Sequence, residues 1–117
     1  MAEERPWGKF EVILEEKDYK VKRITVRGGK RISLQYHKQR SEHWHIVSGS
    51  GLITLGNNSL EMKRGESVDI PRGAVHRVQN IGSQDLVLIE IQRGEYMGED
   101  DIYRLEDDFG RIPDKID

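Results

Sequence analysis

The chain has 117 residues, no cysteine, 34% charged residues and a formal net charge of -2. A chain of this length can build one ordinary domain with its own core, and the lack of cysteine excludes disulfides, thiolate chemistry and cysteine-based zinc fingers, so any metal must sit on oxygen and imidazole ligands. Lys and Arg are balanced by acids and form no separate basic run, which argues against nucleic-acid binding, and without an apolar leader or an apolar stretch of about 18 residues the expectation is a cytoplasmic protein that does not enter membranes.

In chain order, short apolar/polar alternations between turn signals predict strands over Lys9 to Leu14, Tyr19 to Val26, Arg31 to His37, Trp44 to Ser48, Leu52 to Leu55, Ser67 to Ile70, Val75 to Asn80 and Leu86 to Gln92. Turn residues separate them at Gly28-Gly29, Gly49-Ser50-Gly51, Gly56-Asn57-Asn58, Arg64-Gly65, Pro71-Arg72-Gly73 and Gly82 to Asp85. Eight strands at this spacing predict an all-β chain, a small barrel or jelly roll. From Gly98 onward the pattern changes. Ile102, Leu105 and Phe109 lie three and four residues apart among acidic residues, which predicts a short amphipathic helix or an ordered tail over 98–117. No linker, repeat or low-complexity segment divides the chain, so 1–117 reads as a single domain.

Two glycine-bounded clusters of metal-type ligands stand out. The first, over 29–49, runs Gly29-x5-Gln35-x-His37-x4-Glu42-x6-Gly49; the second, over 65–80, runs Gly65-x5-Pro71-x-Gly73-x2-His76-x3-Asn80. Strand parity places Ile32, Leu34 and Tyr36 on one face and Arg31, Ser33, Gln35 and His37 on the other. A polar strand face is commonly just a solvated one. Here the Pro-x-Gly turn before His76 offers a hairpin able to return a second imidazole to the same cavity, and the two clusters together point to one mononuclear metal site.

These segments resemble the paired motifs of the cupin superfamily, a double-stranded β-helix with a metal in its lumen. The second motif matches at every signature position; the first matches at Gly29, His37, Glu42 and Gly49 but has Gln35 where the usual first histidine stands. Gln-x-His, a later Glu and a distant His resemble the zinc set of phosphomannose isomerases. The wider chain is similar to the C-terminal cupin domain of the type II enzyme through Arg5-Pro6-Trp7-Gly8, Ser33 to His37, Arg40-Ser41-Glu42-His43-Trp44, Ile70-Pro71 with His76, Ile89-Glu90-Ile91-Gln92, Gly98 to Ile102 and Asp108-Phe109-Gly110-Arg111. The glycine-rich, basic signature of the nucleotidyltransferase domain that many such enzymes also carry has no counterpart here, so nucleotide-sugar synthesis is not expected of this chain alone.

The resemblance implies a metal-dependent aldose–ketose isomerase that interconverts mannose 6-phosphate and fructose 6-phosphate through an enediol. Gln35, His37, Glu42 and His76 would hold one divalent ion, zinc first, with Fe, Mn, Co or Ni as alternatives. Glu42 or Glu90 would move the proton. Arg31, by parity with Gln35 and His37, is the first choice for the substrate phosphate, with Lys22, Arg72 and Arg40 as the others; each is otherwise a solvated charge. His43 and His45 fall outside the motif register and read as peripheral, and Trp7 and Trp44 read as core more than as sugar platforms. Two other classes stay open. His37, Glu42 and His76 alone would make a two-His, one-carboxylate triad suited to Fe(II) and oxygen, and a small barrel can serve as a non-catalytic sugar-binding module. Exposed edge strands, with Val12 and Leu14 near the N-terminus, lead to the expectation of a homodimer.

Overall fold

The computed structural model describes residues 2–112, and the last part of the predicted 98–117 tail lies outside them. The described residues form strands and turns only: β1 (Ala2–Arg5), β2 (Gly8–Glu15), β3 (Tyr19–Val26), β4 (Leu34–Tyr36), β5 (Arg40–Ser48), β6 (Ser50–Leu55), β7 (Asn58–Lys63), β8 (Ser67–Ile70), β9 (His76–Asn80), β10 (Leu86–Gly94) and β11 (Tyr103–Glu106). They make two antiparallel sheets, a six-stranded one in the order β1-β2-β3-β10-β5-β8 and a five-stranded one in the order β11-β4-β9-β6-β7. No helix among the described residues is long and apolar enough to cross a membrane.

The sheets face each other across a core whose character changes along the strands. On β10 the alternate residues Leu86, Leu88, Glu90 and Gln92 are buried, and on β5 they are Ile46, Trp44, Glu42 and Arg40. The antiparallel register sets Leu88 beside Ile46, Glu90 beside Trp44, and Gln92 beside Glu42, while β3 adds Ile24 beside Leu88 and Lys22 beside Glu90. One half of the interior is therefore apolar and the other polar. The apolar half, with Val26, Ile53, Ile70 and Val78 also almost fully buried, supplies the stability, since each such side chain contributes roughly 1.5–3 kcal/mol on burial. The polar half holds the site.

Three differences from the sequence pattern matter for that site. First, the predicted strand Arg31 to His37 is a ladder only over Leu34–Tyr36, with Arg31 in an isolated bridge to Gln79. The Arg77 guanidinium donates to Ile32 O at 3.0 Å and Ile32 N–H donates to Val78 O at 3.1 Å. The alternation is lost there, and Ile32 and Ser33 are both buried. Second, β1 and β7 carry no alternation: one reads Ala-Glu-Glu-Arg, and only Met62 of the other is buried. Third, the predicted C-terminal helix is corrected to a strand. β11 covers the free edge of β4, pairing Arg104 with Gln35, and Tyr103 stacks on Tyr36 with ring centroids 5.1 Å apart. Edge pairing satisfies backbone groups that a helix would have left open on β4.

Candidate metal centre

His37, Glu42 and His76 come together in the polar half of the core. One ligand atom from each lies within 4.8 Å of the others. Glu42 projects inward from β5 and His76 opens β9, while His37 sits in the link between β4 and β5. The Pro71–Gly73 turn does the aligning. Gly73, at φ 79°, adopts a left-handed conformation suited to glycine, and its N–H donates to His37 O at 2.7 Å, joining the two motifs through the backbone.

Both imidazoles are fixed from behind. His37 Nδ1–H donates to Asp101 O at 2.8 Å, and His76 Nδ1–H donates to Ala74 O at 2.9 Å. A carbonyl only accepts, so Nδ1 carries the proton in each ring and Nε2 faces inward, the arrangement that outer hydrogen bonds give to metal-ligating histidines. His37 Nε2 lies 3.2 Å from Glu42 Oε2 and His76 Nε2 lies 3.6 Å from Glu42 Oε1. The edge of His76 packs against Trp44, with ring centroids 5.4 Å apart.

Electrostatically the trio attracts positive charge. Burial favours the neutral form of Glu42, but hydrogen bonds and charge interactions with His37 and His76 outweigh it and hold its pKa well below the usual carboxylate range. Burial works against a charged His76, yet Glu42 outweighs that effect and raises its pKa. Glu42 Oε1 is buried without a hydrogen-bond partner. Two inward Nε2 atoms and an orphaned carboxylate oxygen, with no thiolate nearby, fit a divalent cation of borderline or hard character.

A cavity of about 70 Å³ lies next to this centre: its lining includes Arg40, which is bonded to Glu42, Gln35, which pairs with His76, and also Glu90, Gln92, Arg104 and Arg111. Glu90 Oε2 accepts from Trp44 Nε1 at 3.0 Å and Glu90 Oε1 accepts from Gln92 Nε2 at 2.7 Å. Burial and then the charge of Glu42 push the Glu90 carboxyl up to about 7. Two buried carboxylates thus stand close together with their proton affinities driven apart.

Residues 2–107 match the family described as Mannose-6-phosphate isomerase C-terminal. The chain belongs to that family. It is 48% identical over 107 residues to the Xanthan biosynthesis protein XanB of Xanthomonas campestris pv. campestris (strain B100), covering 92% of this chain and 23% of that protein. It is 44% identical over 108 residues to the Mannose-1-phosphate guanylyltransferase ManC of Salmonella typhimurium, covering 92% of this chain and 22% of that protein. The domain thus spans less than a quarter of these relatives. Among solved structures, the Schizosaccharomyces pombe Cnp3 cupin domain superposes with a TM-score of 0.71 at 20% identity, over 74% of this chain and 64% of that one, a likeness of fold. The fold is that of a cupin.

Within this domain the residues singled out by sequence fall into two groups. Gln35 lines the cavity and pairs with His76 across the β4/β9 ladder; its amide nitrogen donates to Ser33 O at 3.3 Å, which leaves the side-chain oxygen for another partner. Lys22 also lines the cavity but is bound to Glu99 at 3.0 Å. Arg31 and Arg72 do not line it. Arg31 makes two hydrogen bonds to Asp108, at 2.7 and 2.8 Å, because the alternation that would have turned it inward is broken. Arg72 is half-exposed, 3.9 Å from Glu95. His43 and His45 face outward and bond Asp69 and Ser67 at 2.6 and 2.7 Å. Trp44 is a core residue that also holds Glu90.

Sequence reasoning missed Asp101, Gln92 and the arginines of the C-terminal segment. Asp101 is almost fully buried; its carboxylate accepts from Lys38 N–H at 3.0 Å and Gln39 N–H at 2.9 Å, and its carbonyl orients His37. Parity on β10 with Glu90 was the available signal for Gln92. Arg40, the last of the proposed phosphate ligands, is buried and donates to Glu42 Oε2 at 2.9 Å.

Proposed function

We propose that this domain is a metal-dependent isomerase that interconverts mannose 6-phosphate and fructose 6-phosphate. The observation that carries the reading is geometric: the buried His37, Glu42, His76 trio stands beside a cavity lined by a second buried carboxylate, Glu90, whose proton affinity is raised while that of Glu42 is lowered. Family membership and the mannose chemistry named in the relative ManC support the substrate class.

His37, Glu42 and His76 would hold the ion, with the Gln35 oxygen as fourth ligand. A divalent cation bound there supplies Lewis acidity toward a carbonyl and its neighbouring hydroxyl. Aldose–ketose exchange needs a group that removes a proton from C2 and returns it to C1, and a carboxyl with a pKa near neutrality can do both. Glu90 suits that role better than Glu42, whose low proton affinity makes it a poor base. Trp44 Nε1–H and Gln92 Nε2–H each hold one oxygen of Glu90, so the carboxyl is oriented before a substrate arrives. Burial is the largest cause of its raised pKa, and burial persists when a cation offsets the charge of Glu42. Arg40 donates to Glu42 Oε2 and to Gly98 O and so holds Glu42 in place.

The test is a coupled assay on mannose 6-phosphate, using metal-stripped protein reloaded in turn with zinc, cobalt, manganese and iron. Metal-dependent turnover that disappears in His76→Asn supports the proposal, and no turnover with any ion sinks it. The same three ligands also suit Fe(II) and oxygen chemistry. Turnover with zinc in anaerobic buffer would exclude that second reading; oxygen uptake restricted to the iron form would favour it.

A further inference from the structure

Five cations line the cavity, and four of them are already engaged. Lys22 binds Glu99 at 3.0 Å, Arg40 binds Glu42 at 2.9 Å, Arg111 binds Asp107 through two hydrogen bonds of 2.8 Å, and Arg5 contacts Glu3 at 3.3 Å. Arg104 is different. Its guanidinium has no hydrogen bond and no ion pair among the described residues, and its Nε is buried without a partner. Leaving a buried donor unmade is costly, the more so for a charged group.

The position of Arg104 gives that vacancy a direction. Across the five-stranded sheet Arg104 pairs with Gln35, and Gln35 pairs with His76. Residues directly opposite on neighbouring antiparallel strands share a face. Arg104 thus lies on the same face as Gln35 and His76, two strand spacings or about 10 Å from the His76 backbone. A ligand reaching from the ion-binding trio along this row would meet the guanidinium at its far end.

We propose that Arg104, flanked by Arg5 and Arg111, is the anion subsite of this cavity and grips the phosphate of a phosphate monoester whose other end lies at His37, Glu42 and His76. Guanidinium and phosphate match as a two-point, charge-assisted pair. Burial and then repulsion from Arg111 lower the proton affinity of Arg104, a strain that a bound anion relieves. The acidic residues of the same segment are already bonded: Asp107, Asp108, Glu99 and Glu106 to basic side chains, Asp100 to the Tyr96 hydroxyl and Asp101 to two backbone N–H groups. The assignment rests on the sugar-phosphate reading above and replaces Arg31 and Arg72 as the phosphate residues.

The experiment is calorimetric titration of the metal-loaded chain with sorbitol 6-phosphate, which has no carbonyl to isomerise, and in parallel with sorbitol and with inorganic phosphate. Arg104→Gln should weaken sorbitol 6-phosphate about 10- to 100-fold, the loss of one charge-assisted contact. Arg104→Lys should recover part of it, and Arg72→Gln should change nothing. Sorbitol binding and metal stoichiometry should be unaltered, and the unfolding midpoint of ligand-free Arg104→Gln should not fall, since the side chain makes no hydrogen bond. Tighter binding of sorbitol 6-phosphate than of inorganic phosphate marks a sugar-phosphate site; equal affinity overturns the two-ended ligand. The proposal also fails if wild-type protein does not bind sorbitol 6-phosphate, or if Arg104→Gln binds it as wild type does. Binding through Arg104 without turnover would sink the isomerase and leave the subsite, whereas turnover indifferent to Arg104→Gln would do the reverse.

Discussion

Replacing Asp101 tests how far the C-terminal segment builds the candidate metal centre. Its carboxylate accepts two backbone N–H groups, from Lys38 at 3.0 Å and Gln39 at 2.9 Å, in the link that carries His37. Asp101→Ala strands both donors. A buried hydrogen bond to a charged group is worth roughly 1.5–3 kcal/mol, and the side chains of Lys38 and Gln39 are exposed, so water recovers part of the loss. The sum is about 2–3 kcal/mol. With a urea m-value of about 1.5 kcal/mol/M for a domain of this size, the midpoint should fall by roughly 1.3–2 M. Asp101→Asn keeps one acceptor oxygen but turns an NH2 toward the other donor, and should cost about half as much. A second readout separates support of the site from general stability. Without the carboxylate, the backbone of residue 101 is no longer tied to the link that carries His37, so the carbonyl that orients the ring is held less firmly, and affinity for Co²⁺, followed by its visible absorption, should fall about 10- to 100-fold, as is typical when outer-shell support of a ligand is removed. Asp100→Ala, on the exposed neighbour, is the control. An Asp101→Ala protein that unfolds within about 0.5 kcal/mol of wild type and binds cobalt equally well would refute the reasoning.

Two further perturbations probe the strands that carry the site. A Cβ on Gly94 would stand 2.2 Å from Gln39 O and 2.9 Å from Arg40 Cα, both backbone atoms, so Gly94→Ala should force β10 and β5 apart and cost about 2–3 kcal/mol. Gly73→Ala meets nothing within 4 Å and should cost only about 1–2 kcal/mol for its left-handed backbone; equal urea midpoints for the two variants would contradict this. The pH dependence of the metal-free protein should carry the mark of Glu90, raised from 4.5 to about 7 by burial and then by Glu42. The unfolded chain releases this proton first, so stability falls as pH rises from 4.5 to about 7, by up to about 3 kcal/mol. Glu90→Gln in EDTA should flatten that fall, and an unchanged slope in denaturant titrations from pH 4 to 8 would show that another group is responsible.

Strand alternation and glycine turns made the sandwich legible, because Trp44, Ile46, Leu86 and Leu88 recur with period two and have nowhere to go but inward. The His37, Glu42, His76 trio was legible for another reason, the spacing of two glycine-bounded ligand clusters that resemble the paired cupin motifs. Arg31 was misread because parity was carried through Ile32 and Ser33, where the Arg77 side chain takes over a backbone carbonyl and the alternation stops. No local pattern could report that substitution. The C-terminal strand was hidden by a different effect. Ile102, Leu105 and Phe109 suit a helix by spacing, but the edge of β4, nearly seventy residues earlier, decides the matter by offering hydrogen bonds. The same non-local placement gives Glu99, Glu106 and Asp108 of an acidic tail, which taken alone should repel an anion, basic partners elsewhere in the fold, and leaves Arg104 lining the cavity.

The brace between Asp101 and His37 joins residues 64 positions apart, and this separation bears on the order of assembly during synthesis. Both motif segments emerge from the ribosome before the residue that orients the first histidine, and domains can begin to fold while translation continues. A nascent chain stopped short of Asp101 could pair β5 with β10 and β6 with β9, one strand pair in each sheet, yet His37 would lack the carbonyl that selects its tautomer. If the trio holds an ion as proposed, a chain stopped before Asp101 would offer it a loosely held His37, and such truncated products would compete poorly for scarce metal.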